Sequence, residues 1–306
     1  MLRAPELLDR AAVEKAVVDS GYIGSDAGFA NIYLLRKKYD TLIALQDGFL
    51  FRYYNGLGSR RGYAFPLGGG DFRKALDWIV EDAHESERPL EFCLVDEPRA
   101  QILREYFEKA VSNRAEPVLH FENNRNDSDY IYSAENLATL PGNQYKKKRN
   151  HISRFKRTYG ENWEFKAYPE NDITADILKV SQKWYEENDG ISNDFLRLEH
   201  ESIEKALQNR EFLGLRGGVL YINGEPVAMT LASPISQDVL DVIYERSVGD
   251  FEHNGAYAVI NQQCARRCQN FLYLNREEDM GVEGLRKAKL SYKPEMILEK
   301  FYGEVH

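Results

Sequence analysis

Hydrophobic and polar positions recur along this chain with two periods, and the switches between them mark most of its elements. The clearest series of switches runs from Gly218 to Asn270. Two apolar runs, 219–222 and 227–232, flank Asn223-Gly224, the dipeptide that tolerates φ > 0 at both centres of a type I′ turn, and so predict a hairpin. A longer strand is expected at 239–248. Leu240, Val242, Tyr244 and Val248 share one pleat face there, and Asp241, Ile243, Glu245 and Ser247 the other, so one face is apolar and the other carries two carboxylates. After Gly249-Asp250 and His253-Asn254-Gly255, the spacing of Tyr257, Ile260, Cys264 and Cys268 predicts an amphipathic helix. A helix starting just past a strand end offers unpaired N–H groups and a positive dipole end, which favour an anionic group. The plainer reading of Gly255 is a tight connector.

Upstream, residues 1–20 read as a short amphipathic helix, and 31–38 and 41–45 as strands. Asp47-Gly48 marks a second hairpin turn with 49–54 returning, and 62–67 is a further strand. Gly68-Gly69-Gly70 then precedes a helix from Asp71 with Phe72, Ala75, Leu76, Ile79 and Ala83 on one face. The triplet lacks the following Lys-Ser/Thr of a nucleotide loop. Residues 90–95, 117–121 and 129–133 read as strands, with a helix around Ile102–Ala110 and a polar loop at 123–127. Past the linker at 140–142 comes a helix with Tyr145, Ile152, Phe155 and Tyr159 inward. Asp172 or Thr174 and then Asp194 are placed to cap two more helices. The chain ends with a strand at 270–274, an acidic loop at 275–281, a basic segment at 285–293 and a closing strand at 295–301.

Both halves therefore repeat one order: hairpin, strand, glycine loop, helix, strand. The pattern predicts two α+β units, residues 1–140 and 141–306, the second reached through the basic helix. Strands joined by hairpins imply mixed, largely antiparallel sheets.

Composition narrows the function. The 306 residues, 43% hydrophobic, suffice for two cores. A formal charge of −9 excludes a general nucleic-acid coat protein, so any polyanion must meet a local patch. That patch is 146–157, KKKRNHISRFKR, with seven Lys or Arg in twelve residues and no acid. Its plain alternative is a solvated helix face. Three cysteines make no disulfide framework and point to a reducing compartment. With no apolar run of membrane-spanning length and no signal-peptide core, a cytoplasmic location is expected. Cys264, Cys268 and His253 fall short of a metal signature, so no metal is expected.

Three stretches, LPGNQYKKKRNHISRF (140–155), ERSVGDFEHNGAYAVIN (245–261) and NREEDMGVEGLRKAKLSYKP (275–294), resemble the bacterial family related to the C-terminal domain of phosphatidylglycerol lysyltransferase. The resemblance implies two tandem acyltransferase folds of the GNAT (N-acetyltransferase) type, the first degenerate, as in the enzymes that add amino acids to cell-wall precursors. It further implies an aminoacyl-tRNA donor and no tightly bound cofactor; it supplies no acceptor, which is expected to be an amine or hydroxyl of a small molecule, a peptide or a lipid headgroup. Met280-Gly281 only partly matches the segment before the last helix of the lipid enzymes.

On that resemblance the strand at 239–248 and the loop to Gly255 form the donor site, with Asn254, Gly255 and Ala256 supplying amides to a developing oxyanion. Lys147, Lys148, Arg149 and Arg154 would meet tRNA phosphates. Proton removal falls to Glu245 or Glu278, within the Glu277-Glu278-Asp279 trio, and Tyr292 would protonate a leaving group. Two rival readings stand: a CoA-dependent N-acyltransferase, against which a single glycine in the phosphate loop counts, and a non-catalytic binding protein on the same fold.

Overall fold

The computed structural model describes residues 1–56, 60–110, 119–188, 193–251 and 254–305. Pro117, Val118 and His253 lie outside these. The chain forms two compact units, one of residues 1–129, 278–283 and 297–306, the other of residues 130–277 and 284–296. The crossing at 129–130 precedes the 140–142 linker, and the C-terminal segment returns to the first unit.

The first unit contains α1 (Arg10–Ser20), α2 (Phe29–Leu34), α3 (Arg36–Tyr39), β1 (Thr41–Gln46), β2 (Phe49–Asn55), β3 (Arg61–Tyr63), β4 (Leu67–Gly68), α4 (Phe72–Glu85), β5 (Glu91–Val95), α5 (Glu97–Ala110) and β6 (Leu119–Asn123). The second begins with β7 (Asp129–Ser133), α6 (Ala134–Thr139), α7 (Lys146–Tyr159), β8 (Trp163–Tyr168), α8 (Thr174–Glu187) and α9 (Asp194–Gln208). It continues with β9 (Arg216–Ile222), β10 (Glu225–Pro234), β11 (Val239–Ser247), α10 (Ala256–Arg267), β12 (Tyr273–Asn275), α11 (Glu283–Leu290) and β13 (Met296–Leu298), and the chain closes with β14 (Phe301–Val305).

Both hairpins form as expected. Asp47 and Gly48 have φ of 52° and 79°, and Asn223 and Gly224 of 52° and 80°, the paired positive values of a type I′ turn. Helix α4 buries Ala75, Leu76, Ile79 and Ala83, and the Asp71 side chain accepts from the Arg73 N–H at 3.0 Å as its cap. The 31–38 stretch is helical instead of extended: all six residues of α2 are buried, and a short fully apolar run does not distinguish a strand from a buried helix. Strand β8 has no counterpart in the pattern reading. The cap of α9 is Asn193, one residue before the expected Asp194, accepting from the N–H groups of Phe195 and Leu196.

The expected closing strand at 295–301 is split. Its first part, β13, lies beside β7 in the second sheet, ordered β13-β7-β12-β11-β10-β9-β8. Strand β14 is inserted between β5 and β6 in the first, ordered β1-β2-β3-β5-β14-β6 with β4 on β2. Lys300 fixes this insertion. Its ammonium, fully buried just before β14, donates to Asp26 and lies 3.7 Å from Asp129, while Arg52 Nη1 reaches Asp26 at 2.5 Å. Burial opposes the Asp26 charge, but Lys300 and Arg52 outweigh it and hold the carboxyl well below the usual carboxylate range. Removing Lys300 leaves the buried Asp26 with Arg52 as its one cation and takes the nearby cation from Asp129, so Lys300→Ala should lower unfolding stability by about 3–5 kcal/mol in urea denaturation. An effect below about 1 kcal/mol would mean that the network is not closed to water.

Candidate active site

In the second sheet the neighbouring strands β11 and β12 part after a short pairing. Strands β11 and β12 are parallel, joined by the crossover helix α10, and pair only at Val239–Tyr273, Leu240–Leu274 and Asp241–Asn275. Beyond Asn275 the chain stays with β7: the Arg276 N–H donates to the Tyr130 carbonyl at 3.0 Å, and the Tyr130 N–H to the Glu277 carbonyl at 3.2 Å. Strand β11 continues to Ser247 on the opposite side, paired with β10. The remainder of β11 thus has no strand paired on its β12 side among the described residues.

Lys289 holds this divergence open. Its ammonium donates to the carbonyls of Arg276 and Glu277, the latter at 3.0 Å, and Glu277 adopts a left-handed φ of 53°. Those contacts turn the Arg276 side chain back across the gap. Arg276 Nη2 meets Glu245 Oε1 at 2.6 Å, and both side chains are about nine-tenths buried. Asn261 of α10 lies against the pair, its amide oxygen accepting from Arg276 Nε at 3.1 Å and Nη1 at 3.3 Å. The guanidinium also lies 5.0 Å from the Tyr292 ring centre and 5.7 Å from that of Tyr132, and the two rings meet edge to face.

Lys148 is the second cation here. Tyr145, Ile152 and Phe155 form the buried stripe of α7, and Lys148 falls on the same stripe, its Nζ 3.6 Å above the Tyr292 ring. No carboxylate forms an ion pair with it among the described residues. Burial, and then repulsion by Arg276, push the Lys148 amine down to about 8 against an opposing pull from Glu245. Burial raises the hydroxyls of Tyr292 and Tyr132, which therefore stay protonated.

The basic residues expected to act together thus separate. Lys147, Asn150, His151, Ser153, Arg154 and Arg157 line an open hollow of about 620 Å³ along α7. Burial, then Lys148 and Arg154, lower His151, so its imidazole is neutral at pH 7. Arg149 turns away and donates to the carbonyls of Leu140 and Gly142 at 2.5 and 2.6 Å, tying the preceding linker to the helix.

The expected donor loop is also differently engaged. Gly255 has φ of 99°, and a Cβ there would come within 3.1 Å of the His151 carbonyl, so the glycine lets α7 cross the start of α10. Ala256 is fully buried, and the Asn254 side chain donates to the Asp250 carbonyl at 3.1 Å. Of the three acid–base candidates, Glu245 and Tyr292 meet at the gap. Glu278 belongs to the first unit, where it pairs with Arg60 at 3.0 Å. Arg276, Asn261 and Tyr132 escape the pattern reading. The inward position of Lys148 is visible in its spacing from Tyr145 and Ile152.

Residues 20–303 match the family model described as phosphatidylglycerol lysyltransferase, C-terminal. The chain belongs to this family. A conserved protein of unknown function from Bacteroides thetaiotaomicron is 34% identical, with all of this chain and 99% of that one covered and a TM-score of 0.87. The L-PGS of Bacillus licheniformis shares the fold at 15% identity and a TM-score of 0.64, over 97% and 92% of the two chains. A tandem GNAT protein of the clavulanic acid pathway does so at 8% and 0.50, over 100% and 98%. An uncharacterised protein of Mycoplasmoides gallisepticum is 24% identical over 181 residues, 58% of this chain and 56% of its own length, so the match spans about half of that relative. The family assignment and the tandem GNAT-like α+β fold read from the sequence therefore hold. No helix among the described residues is long and apolar enough to cross a membrane.

In this family member the depressed Lys148 amine has a thermodynamic consequence. Between pH 8 and the ordinary lysine value of 10.5, the folded chain binds fewer protons at Lys148 than the unfolded chain does. Folding stability should therefore rise with pH across that window. In thermal unfolding, the wild-type gain from pH 8 to 10.5 should exceed that of Lys148→Met. Identical slopes would place Lys148 in water.

Proposed function

We propose that this chain is an acyltransferase that moves an aminoacyl group from the 3′ end of a charged tRNA to an amine or hydroxyl acceptor. The observation carrying the reading is the parting of β11 and β12, with a cation clamped at its mouth and a basic helix alongside. Acyl transfer develops negative charge on a carbonyl oxygen, and a preorganised guanidinium in a largely water-excluded gap stabilises such charge without reorganising. Glu245 holds Arg276 in that position. Paired with Arg276 at 2.6 Å, Glu245 orients the site.

The family and the fold support the acyl-transfer class. The large donor is favoured by the outward face of α7, where Lys147, Arg154 and Arg157 share one hollow. A chain of net charge −9 that concentrates its cations on one exposed face fits a local polyanion contact. Against acyl-CoA stands the tight cover over Gly255 by the α7 backbone, which leaves that glycine a packing role.

Binding of bulk tRNA in a mobility-shift assay should weaken steeply between 50 and 200 mM salt, with the triple variant Lys147→Ala, Arg154→Ala, Arg157→Ala losing roughly two to three units of the log–log salt slope. Salt-insensitive binding, or an unchanged slope in the triple variant, would remove the nucleic-acid donor. Thermal stabilisation by acetyl-CoA and none by tRNA would favour the CoA reading.

A further inference from the structure

We infer that the side-chain amine of Lys148 is the base that takes the acceptor's proton, an assignment that rests on the acyltransferase reading above. The gap contains few groups able to exchange a proton, and most are committed. From β11, Glu245 faces inward and is held in a 2.6 Å ion pair with Arg276. From the segment after β12, Arg276 is a guanidinium, which does not release its proton in proteins. From β7 and the residue after α11, Tyr132 and Tyr292 present rings, and burial keeps their hydroxyls protonated. On α7 itself, His151 faces the outward hollow with Asn150 and Ser153.

Lys148 differs from all of these. It reaches the Tyr292 ring at 3.6 Å from the buried stripe of its helix, faces Arg276 and has no acid of its own. The ring accommodates either protonation state, because its face attracts the ammonium while its apolar surface suits the free amine. Two cations and one carboxylate leave the gap with a surplus positive charge, which is relieved when Lys148 loses its proton. With the amine pushed down to about 8, Lys148 gives up its proton near neutral pH far more readily than an ordinary lysine does.

The proposed step balances without a further reagent. The acceptor hydroxyl or neutral amine attacks the ester carbonyl, a new C–O or C–N bond forms, and its proton passes to Lys148 Nζ. The ester C–O bond then breaks, and the departing ribose oxygen takes that proton back, restoring the free amine. Arg276 stays charged throughout.

The test compares transfer from charged tRNA by wild type, Lys148→Arg and Lys148→Ala across pH, with an NMR titration of ¹³C-methylated Lys148 as a readout independent of activity. Wild-type kcat should rise with pH through a midpoint near 8. Lys148→Arg, a fixed cation, should lose at least about 100-fold in kcat while binding tRNA within about twofold of wild type. Lys148→Ala should recover with added primary alkylamines in the order of their basicity, a response that a packing role does not give. Near-wild-type activity of Lys148→Arg, or titration of Lys148 as an ordinary lysine, would overturn the assignment alone. Absence of transfer by wild type from charged tRNA and from acyl-CoA, with Lys148 titrating near 8, would overturn the acyltransferase reading and the assignment with it.

Discussion

Parallel strands that pair for three residues and then separate leave backbone donors and acceptors facing a gap, and the second unit is built to tolerate that cost. Strand β12 gains compensating hydrogen bonds from β7, and Lys289 binds the carbonyls of Arg276 and Glu277, so the divergence is fixed on its outer side. On the inner side the gap is spanned by side chains. Continued pairing would set Arg276 beside Val242, three residues short of Glu245, and the two side chains meet across the place where the chain turns away after Asn275.

A buried ion pair of this kind contributes little net stability, since desolvation of both charges offsets their attraction. Its value lies in orientation: the guanidinium is held by a carboxylate, an amide and two aromatic rings before any ligand arrives. Lys148 adds a charge that this arrangement does not neutralise. Arg276 and Glu245 neutralise each other at close range, so burial decides the Lys148 equilibrium, with Arg276 repulsion reinforcing it.

Much of this was legible in the sequence, and the failures have physical causes. The two type I′ hairpins followed from their dipeptides because φ > 0 at successive residues is a strong local constraint. The α7 helix is legible too, but a run of bases in sequence does not show which face of the helix each one takes. Lys147, Arg154 and Arg157 point into one hollow, Lys148 inward, and Arg149 back to the linker. Arg276 lay hidden because it is followed by three acids, which read as a solvated loop, while its partner is 31 positions upstream on another strand. Gly255 was legible as a position requiring freedom, but the neighbour demanding it, the His151 carbonyl, is set by tertiary packing. The split of the last strand between two sheets depends on buried partners of Lys300 far away in sequence, Asp26 and Asp129, and no local pattern encodes them.

The account stands on the gap between β11 and β12 being where an activated carbonyl settles. A crystal structure with a non-hydrolysable 3′-aminoacylamino-adenosine addresses this directly. The aminoacyl carbonyl should lie in that gap within hydrogen-bond reach of Arg276, with its α-carbon side toward Lys148 and Tyr292. Density for the analogue elsewhere on the chain, with the Arg276–Glu245 pair and its surroundings undisturbed, would contradict it.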